Sequence, residues 1–453
     1  MISRMAWTFL TACLMASARP VSALAQDYEA LGRELVQNLA ARQFDKVEAR
    51  FDDRVAAALP VGKLSATWDT LLGQVGAFRA ITGTRVEEQQ GYHVAFVTCE
   101  FEKASLDTQF AFDSAGRVAG LHFVPTRPKT EWTPPDYARA DSFQERQVTV
   151  GSGRWQLPGT LSVPGGSGPF PALVLVQGSG PHDQDETIGP NKPFKDLAWG
   201  LSSRGVVVLR YVKRTLKYGK ESGTDPARLT VMDEVIEDAR AGAALLAALP
   251  EVNPKRVYVL GHSLGGMLAP RIAEGDAHTA GIIIMAGSTR PFGAIVVEQV
   301  KYLAGLHGQP TEAAQKQIQA AEEAAKQIDS PTLTASETVK VLGVSVPGSY
   351  FLDLRNYAPA ETAARLKIPI LVLQGARDYQ VTRADFEGWK KALAGESRAT
   401  FILYPGLTHL FMESAAPGTG PGTPADYDRP SHVSMTVVAD IAKWIASNQG
   451  APK

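Results

Sequence analysis

The chain has 453 residues, of which 44% are hydrophobic and 21% are charged, and its formal net charge is −1. This length suffices for two domains with separate cores, and the composition is that of a globular protein. The near-zero net charge excludes an overall basic field of the kind that attracts nucleic acid, so we expect no nucleic-acid partner.

The first 25 residues have the pattern of an export signal. Arg4 precedes a largely apolar run from Met5 to Ala18, and Ala23-Leu24-Ala25 matches an A-x-A cleavage site. We expect a signal peptide over residues 1–25 and a periplasmic or secreted mature protein. A lipobox-like sequence ending at Cys13 is the alternative, and it would make the protein a lipoprotein. No other run reaches the roughly 18–20 apolar residues of a membrane span, so we expect no stable span after signal removal.

Cysteine and histidine spacing gives no support to a disulfide or a metal site. The chain has two cysteines, and removal of the signal would leave only Cys99. It contains neither Cys-x-x-Cys nor His-Glu-x-x-His. We therefore expect neither a metal nor another cofactor.

Residues 26–125 predict a small α+β domain, because helical periodicity comes first and strand-like alternation follows. Such a domain offers a concave pocket or a sheet face, so one hypothesis makes it a binding module or the interface of a homodimer. The predicted helices cover about 28–39, 44–58 and 63–75, and the predicted strands cover 93–101, 106–112 and 118–124.

A Pro-rich stretch at 126–141 predicts a linker, and residues 142–450 then alternate between strands and helices. This alternation predicts a mostly parallel sheet with helices on both faces, the α/β class. The predicted strands are 146–150, 157–163, 172–177, 206–211, 256–260, 281–286, 369–374 and 399–404. The predicted helices include 194–203, 231–248, 264–274, 383–393 and 435–446.

An insertion at about 290–350 separates two of these strands. It has helical periodicity at 295–306 and again from Ala314 to Ile328, where apolar residues share one helical face. We expect a helical cap over the active site. The alternative is a peripheral helical hairpin that packs on its own apolar stripe.

The sequence GHSLGG, from Gly261 to Gly266, lies between an apolar strand and a helix. A Gly-x-Ser-x-Gly turn in this context is typical of the nucleophile elbow of α/β-hydrolases. Its glycines permit the sharp turn, which exposes the Ser263 hydroxyl at the N-terminus of the helix. We predict Ser263 as a nucleophile.

A serine nucleophile requires a base and an orienting acid, which in this fold follow in the order acid, then histidine. Asp378 comes directly after the predicted strand 369–374, and His409 follows the strand 399–404. His432 is the other histidine beyond Asp378, but no strand precedes it. We predict Asp378 and His409 as the partners of Ser263.

An oxyanion hole needs two backbone N–H donors. One is the residue after the nucleophile, Leu264, and the other belongs to the loop after the third strand. That loop reads QGSGP from Gln177, and its glycines permit close approach of a substrate. We assign the second donor to Ser179.

Five longer motifs occur in the second part of the chain: QGSGPHDQDETIGPNKPFKDLAWGL at 177–201, VLRYVKRT at 208–215, GHSLGGMLAP at 261–270, LQGARDYQVT at 373–382 and YPGLTHLF at 404–411. With these motifs, residues 142–448 resemble the EstD-type bacterial esterases of the α/β-hydrolase superfamily. The resemblance implies the α/β-hydrolase fold, hydrolysis of small-molecule carboxylic esters, and a Ser263, Asp378, His409 triad. The domain predicted for residues 26–125 resembles the nuclear-transport-factor-like domain of unknown function that often precedes such hydrolases.

A serine aminopeptidase or amidase is the alternative function, since the same triad cleaves amides. An aminopeptidase needs carboxylates near the site to hold the substrate amine. Asp183, Asp185 and Glu186 are in the right region, although loop structure and pairing at a helix end would also explain them. A basic run between Arg210 and Lys220 either attracts acidic substrates or forms a solvated or ion-paired loop.

Overall fold

A computed structural model of the chain describes residues 27–89, 92–126, 132–222, 228–306, 308–416 and 418–448. The predicted signal peptide, its cleavage site and Cys13 lie outside the described residues. The chain divides into two compact units, with the division between residues 127 and 128, inside the predicted linker. Among the described residues, no helix is both long enough and apolar enough to cross a membrane.

The first unit packs helices against a four-stranded antiparallel sheet of order β1-β2-β3-β4. Leu35 and Leu39 of the first helix lie in one core with Ala95 and Val97 of the second strand, and Trp68 packs on Phe101. The elements are α1 (Tyr28–Ala40), α2 (Phe44–Glu48), α3 (Asp53–Ala58), α4 (Val61–Val75), β1 (Phe78–Gln89), β2 (Tyr92–Phe101), β3 (Ser105–Phe112) and β4 (Val118–Pro125).

Two features of this unit differ from the sequence prediction. The predicted helix at 44–58 is two helices, because the carboxylate of Asp52 accepts the Val55 amide at 2.7 Å and begins α3 anew. Strand β1 was not predicted. It is an edge strand with irregular register at Phe78–Ala80 and at Ile81–Gly83, so its apolar residues do not alternate regularly.

The second unit is built on an eight-stranded sheet of order β14-β13-β10-β9-β7-β8-β6-β5, parallel except where β6 pairs with β8 and with β5. It confirms the predicted α/β-hydrolase fold, and each strand predicted for this unit is present. The eight strands of this sheet are β5 (Phe143–Val150), β6 (Leu157–Pro164), β7 (Phe170–Val176), β8 (Val207–Tyr211), β9 (Val252–His262), β10 (Thr279–Met285), β13 (Ile370–Gly375) and β14 (Ala399–Tyr404), and a separate two-stranded sheet consists of β11 (Thr338–Val341) and β12 (Val344–Pro347).

Helices cover both faces of this sheet, which explains why its central strands are continuous apolar runs. In β7, Val174 and Val176 pack with α7 and α8, whereas Leu173 and Leu175 pack with α5 and α14. The helices are α5 (Pro193–Ser202), α6 (Arg214–Tyr218), α7 (Glu237–Ala247), α8 (Leu264–Ala273), α9 (Phe292–Gly305), α10 (Glu312–Asp329), α11 (Gly348–Arg355), α12 (Pro359–Arg365), α13 (Arg383–Ala392) and α14 (Met435–Ser447).

The insertion between β10 and β13 is helical at α9 and α10, as predicted, but it also contains the antiparallel hairpin β11–β12. Helices α9 and α10 pack closely, since a side chain at Gly293 would lie 3.0 Å from Ala325. The hairpin was not predicted because its strands have only four residues each, too few to establish an alternating pattern.

Residues 132–141 of the predicted linker are packed on the second unit rather than free. The Trp132 indole N–H donates to Asp196 at 2.8 Å, and the Tyr137 hydroxyl donates to the carbonyl of Val433 at 2.7 Å. The aromatic residues of this Pro-rich stretch therefore fasten it to the hydrolase unit.

Candidate active site

Ser263 occupies a strained turn between the end of β9 and the start of α8. Its φ and ψ are 54° and −116°, a left-handed conformation that non-glycine residues rarely adopt. A Cβ atom at Gly261 would lie 2.0 Å from the carbonyl of Gly265, and one at Gly265 would lie 2.3 Å from that of Val176. Only glycine fits at these two positions, so the flanking glycines of the motif are a steric requirement of the turn.

Asp378 and His409 follow β13 and β14, which are parallel neighbours and end together, with Gly375 opposite Tyr404. The sheet thus brings the two loops side by side. His409 Nδ1 lies 2.6 Å from Asp378 Oδ2, and both side chains are buried. Because Nδ1 is engaged by the carboxylate, Nε2 is the ring nitrogen left to accept a proton.

The Asp378 carboxylate is held in place by three further hydrogen bonds. The backbone amides of Gln380 and Val381 donate to Oδ1 at 2.7 and 3.0 Å, and the Gln374 side-chain amide donates to Oδ2 at 3.1 Å. Only one orientation of the carboxylate satisfies all of these donors. Asp378 is therefore a fixed acceptor for the His409 ring.

A cavity of about 280 Å³ brings the predicted residues together. Ser263, His409, Ser179 and Leu264 line it, while Asp378 lies behind His409. The insertion contributes part of the wall, most of it apolar, so it covers the site as the predicted cap would. Its lining residues are Phe292, Ile295, Val296, Gln299 and Leu342.

The two predicted oxyanion donors border this cavity from different elements. Leu264 is the first residue of α8, so its N–H has no intrahelical acceptor and lies at the positive end of the helix dipole. Ser179 follows Gly178, where a Cβ atom would lie 3.1 Å from that of Ser263. Glycine at 178 therefore lets this loop approach the nucleophile closely.

Sequence reasoning missed a buried pair beside the triad, Glu186 and His262. His262 Nδ1 lies 2.9 Å from Glu186 Oε2, and His262 Nε2 lies 3.0 Å from the carbonyl of His409. Glu186 Oε1 accepts the Gly178 amide at 2.6 Å. The pair thus connects the oxyanion loop, the elbow and the His409 loop. Its signals in the sequence are the histidine beside Ser263 and a glutamate eight residues after Gly178.

The two groups of this pair stabilise each other as ions. Burial would lower the pKa of His262, but the charge and hydrogen bonding of Glu186 raise that pKa above its ordinary value. Burial would likewise raise the pKa of Glu186, but His262 holds that pKa below its ordinary value. Each partner therefore favours the charged form of the other.

We expect Glu186→Gln to lower the thermal stability more at pH 6 than at pH 9. A raised histidine pKa stabilises the fold fully below about pH 6.5 and loses this effect as pH rises through the folded-state pKa. The loss at pH 6 should be about 1–3 kcal/mol. Melting temperatures at both pH values measure it.

Glu274→Gln is the matched control, because Glu274 pairs with Arg365 at the surface and no histidine is involved. Its effect on the melting temperature should be small and equal at pH 6 and pH 9. If the melting temperatures of wild type and Glu186→Gln differed by the same amount at pH 6 and at pH 9, this would contradict the ionic role of His262.

The other carboxylates of this region have internal partners. Asp183 accepts the hydroxyl of Thr187 at 2.6 Å, and Asp185 pairs with Lys192 at 3.0 Å and with Arg210. They stabilise the loop, in agreement with the expectation that loop structure and pairing at a helix end would explain these carboxylates.

The basic run is ion-paired rather than solvated at its three buried members. Arg210 contacts Asp185 and Glu145, Lys213 lies 3.2 Å from Glu234, and Arg214 pairs with Asp238. These cations are neutralised within the protein, so they do not form a surface that attracts acidic substrates.

His432 belongs to a second His–Asp pair. Its Nδ1 lies 3.0 Å from Asp196 Oδ1, and the Val433 amide donates to Asp196 Oδ2 at 2.9 Å. His432 does not line the cavity of Ser263 in the described part of the chain. It anchors the segment before α14, in agreement with its rejection as a base.

Comparison with known proteins gives matches in both units. The model of the alpha/beta hydrolase family matches residues 173–419, and that of a family of unknown function, DUF3887, matches residues 33–121. Esterase EstD of Thermotoga maritima is 40% identical over 410 residues, which are 90% of this chain and 93% of that protein.

Two solved esterase structures are distantly similar to this chain. Est1E from Butyrivibrio proteoclasticus is 14% identical at a TM-score of 0.43, with 67% of this chain and 98% of that chain covered. An esterase of Pyrococcus furiosus is 15% identical at a TM-score of 0.42, with 72% and 97% covered.

Proposed function

The chain belongs to the α/β-hydrolase family, as a relative of esterase EstD, and from this premise we propose that it hydrolyses carboxylic esters through an acyl-enzyme on Ser263. The observation that carries the proposal is the 2.6 Å contact of His409 with Asp378, on the cavity that Ser263 also lines. The substrate is a small-molecule ester, and no step of the mechanism requires a cofactor.

Acylation begins when Ser263 Oγ attacks the ester carbonyl carbon while His409 Nε2 takes the hydroxyl proton. The carbonyl oxygen becomes an oxyanion, which the N–H groups of Leu264 and Ser179 stabilise. The tetrahedral intermediate then breaks the bond to the alcohol oxygen, and His409 protonates the departing alcohol. Ser263 is left esterified with the acyl group.

Deacylation repeats these steps with water in place of the alcohol. His409 removes a proton from water, the hydroxide attacks the acyl carbonyl, and the same two N–H groups hold the second oxyanion. Collapse returns the proton to Ser263 Oγ and releases the acid. Asp378 keeps the imidazole in the correct tautomer and stabilises the imidazolium in both halves.

The partnered carboxylates favour an esterase over an aminopeptidase. Asp183 and Asp185 accept hydrogen bonds from their own loop, and Glu186 is buried against His262. A substrate ammonium would have to displace one of these internal donors. The apolar wall of the cavity suits the acyl or alcohol part of a neutral ester better.

We expect the ester of a matched pair of substrates to be the preferred one. With p-nitrophenyl butyrate and butyryl p-nitroanilide, kcat/KM should favour the ester by more than about 100-fold, or roughly 2.7 kcal/mol in transition-state free energy. Leucine p-nitroanilide tests the aminopeptidase separately. Release of p-nitroaniline from either amide at a rate near that of the ester would favour the alternative function.

The sequence also supports proposals on the export of the protein and on the role of its first unit. We propose that residues 1–25 direct export, so that the enzyme is periplasmic or secreted, with a lipoprotein anchored at Cys13 as the alternative. We also propose that the first unit forms a homodimer or binds substrate, because its sheet offers a face for either role.

A further inference from the structure

The peptide bond between Gly178 and Ser179 is held by a buried cation. Lys213 Nζ donates a hydrogen bond to the carbonyl oxygen of Gly178 at 2.6 Å. That carbonyl and the N–H of Ser179 belong to one planar trans peptide and point in opposite directions. Fixing the oxygen therefore fixes the direction of the N–H that is assigned to the oxyanion hole.

We propose that Lys213 is a positioning residue that orients and polarises the 178–179 peptide, so that the Ser179 N–H becomes a stronger oxyanion donor. This assignment rests on the proposed function. The ammonium draws electron density toward the carbonyl oxygen, and hydrogen bonds that share a peptide group strengthen one another in a low-dielectric interior. The neighbouring peptide is held as well, since the Gly178 N–H donates to Glu186 at 2.6 Å.

The burial of Lys213 indicates a role beyond packing. Its side chain is 2% exposed, and removing an ammonium from water has a desolvation cost that burying an apolar residue of the same size does not have. A carboxylate compensates it, because Glu234 Oε1 lies 3.2 Å from Nζ. The backbone N–H of Lys213 donates to the carbonyl of His182 at 3.0 Å, which ties the residue to the oxyanion loop a second time.

Glu234 is itself held from two sides. It lies in a π-helical turn, Met232–Ile236, a distortion that is often found at functional sites. The hydroxyl of Thr215 donates to Oε1 at 3.2 Å, and that of Tyr350 donates to Oε2 at 2.7 Å. Tyr350 belongs to α11 of the insertion, so a chain of buried polar contacts runs from the insertion through Glu234 and Lys213 to the oxyanion peptide.

Lys213→Met tests the assignment, since methionine fills similar space without charge or donor. Loss of a whole oxyanion donor costs about 10²–10³ in kcat, so loss of its alignment should lower kcat by about 10–100-fold with KM changed less than about threefold. The rate of covalent inactivation by diethyl p-nitrophenyl phosphate should fall in parallel, because that reaction also develops charge on an oxygen in the oxyanion hole.

Arg214→Met is the matched control. Arg214 is the next residue, is equally buried and pairs with Asp238, but it has no contact with Gly178 or Ser179 among the described residues. It should lower the melting temperature while kcat stays within about twofold. Full kcat in Lys213→Met, or the same loss of kcat in both variants, would overturn the assignment.

If Lys213→Met does not fold, Lys213→Arg and Lys213→Gln decide the matter. Arginine keeps a cationic donor near Gly178 and should retain the higher kcat, whereas equal kcat in the two variants would refute the role of the charge. Ser263→Ala distinguishes this result from failure of the proposed function. An inactive Ser263→Ala beside a fully active Lys213→Met overturns the assignment alone, whereas a fully active Ser263→Ala overturns both.

Discussion

Ser263→Ala should lower kcat for p-nitrophenyl butyrate by at least about 10⁴-fold, or roughly 5.5 kcal/mol in activation free energy. The variant lacks the oxygen that forms the acyl-enzyme, so only weak catalysis by the remaining hydrogen-bond donors is left. Fluorophosphonate labelling, followed by mass spectrometry, should modify the wild type at Ser263 and leave the variant unmodified.

The fold of this variant should be intact. Alanine accepts the same left-handed backbone at position 263, and the backbone amide keeps its hydrogen bond to the Met285 carbonyl at 2.9 Å. An unchanged melting temperature would therefore show that Ser263→Ala loses activity because it lacks the nucleophile and not because it unfolds.

Ser288→Ala is the control for substituting a serine of the same cavity. The Ser288 hydroxyl lies 3.1 Å from both Asp385 and the Arg290 carbonyl, so its loss should affect stability more than kcat. Undiminished hydrolysis by Ser263→Ala, or equal losses of kcat in the two variants, would refute the nucleophile.

The catalytic candidates could be found from the sequence because their positions follow from local rules. Ser263 needs small neighbours and a strand before a helix, and both signals are adjacent in the chain. Asp378 and His409 each follow an apolar strand, and in a parallel sheet the carboxyl ends of such strands meet at one edge. The contact between their side chains could thus be expected from the sequence.

The supporting contacts could not be found in this way. The contacts of Lys213, Glu186 and His262 depend on side-chain rotamers and loop conformations, which a periodic sequence pattern does not predict. Glu186 has φ of 51°, and Glu234 reaches Lys213 from a π-helical turn. Long-range packing decides these details. A solvated or ion-paired loop was expected for the basic run, and its member Lys213 is a buried, ion-paired residue that contacts the oxyanion loop.

Asp378→Asn should lower kcat by roughly 10⁴-fold at neutral pH, the size of effect known for this substitution in serine proteases. The amides of Gln380 and Val381 donate to Oδ1, so the asparagine must keep its oxygen on that side. Its NH₂ group then faces His409 Nδ1. The imidazole is forced to carry its proton on Nε2, where it cannot accept the proton of Ser263.

The second His–Asp pair of the protein supplies the control for this prediction. Asp196→Asn makes the same change next to His432, where Asp196 accepts hydrogen bonds from Trp132 and from the Val433 amide. Both variants leave a buried donor poorly matched and should lose about 1–3 kcal/mol of stability. Only Asp378→Asn changes the tautomer of a ring that lines the cavity, so only this variant should lose kcat. Equal kcat in the two variants would show that Asp378 merely supports the fold.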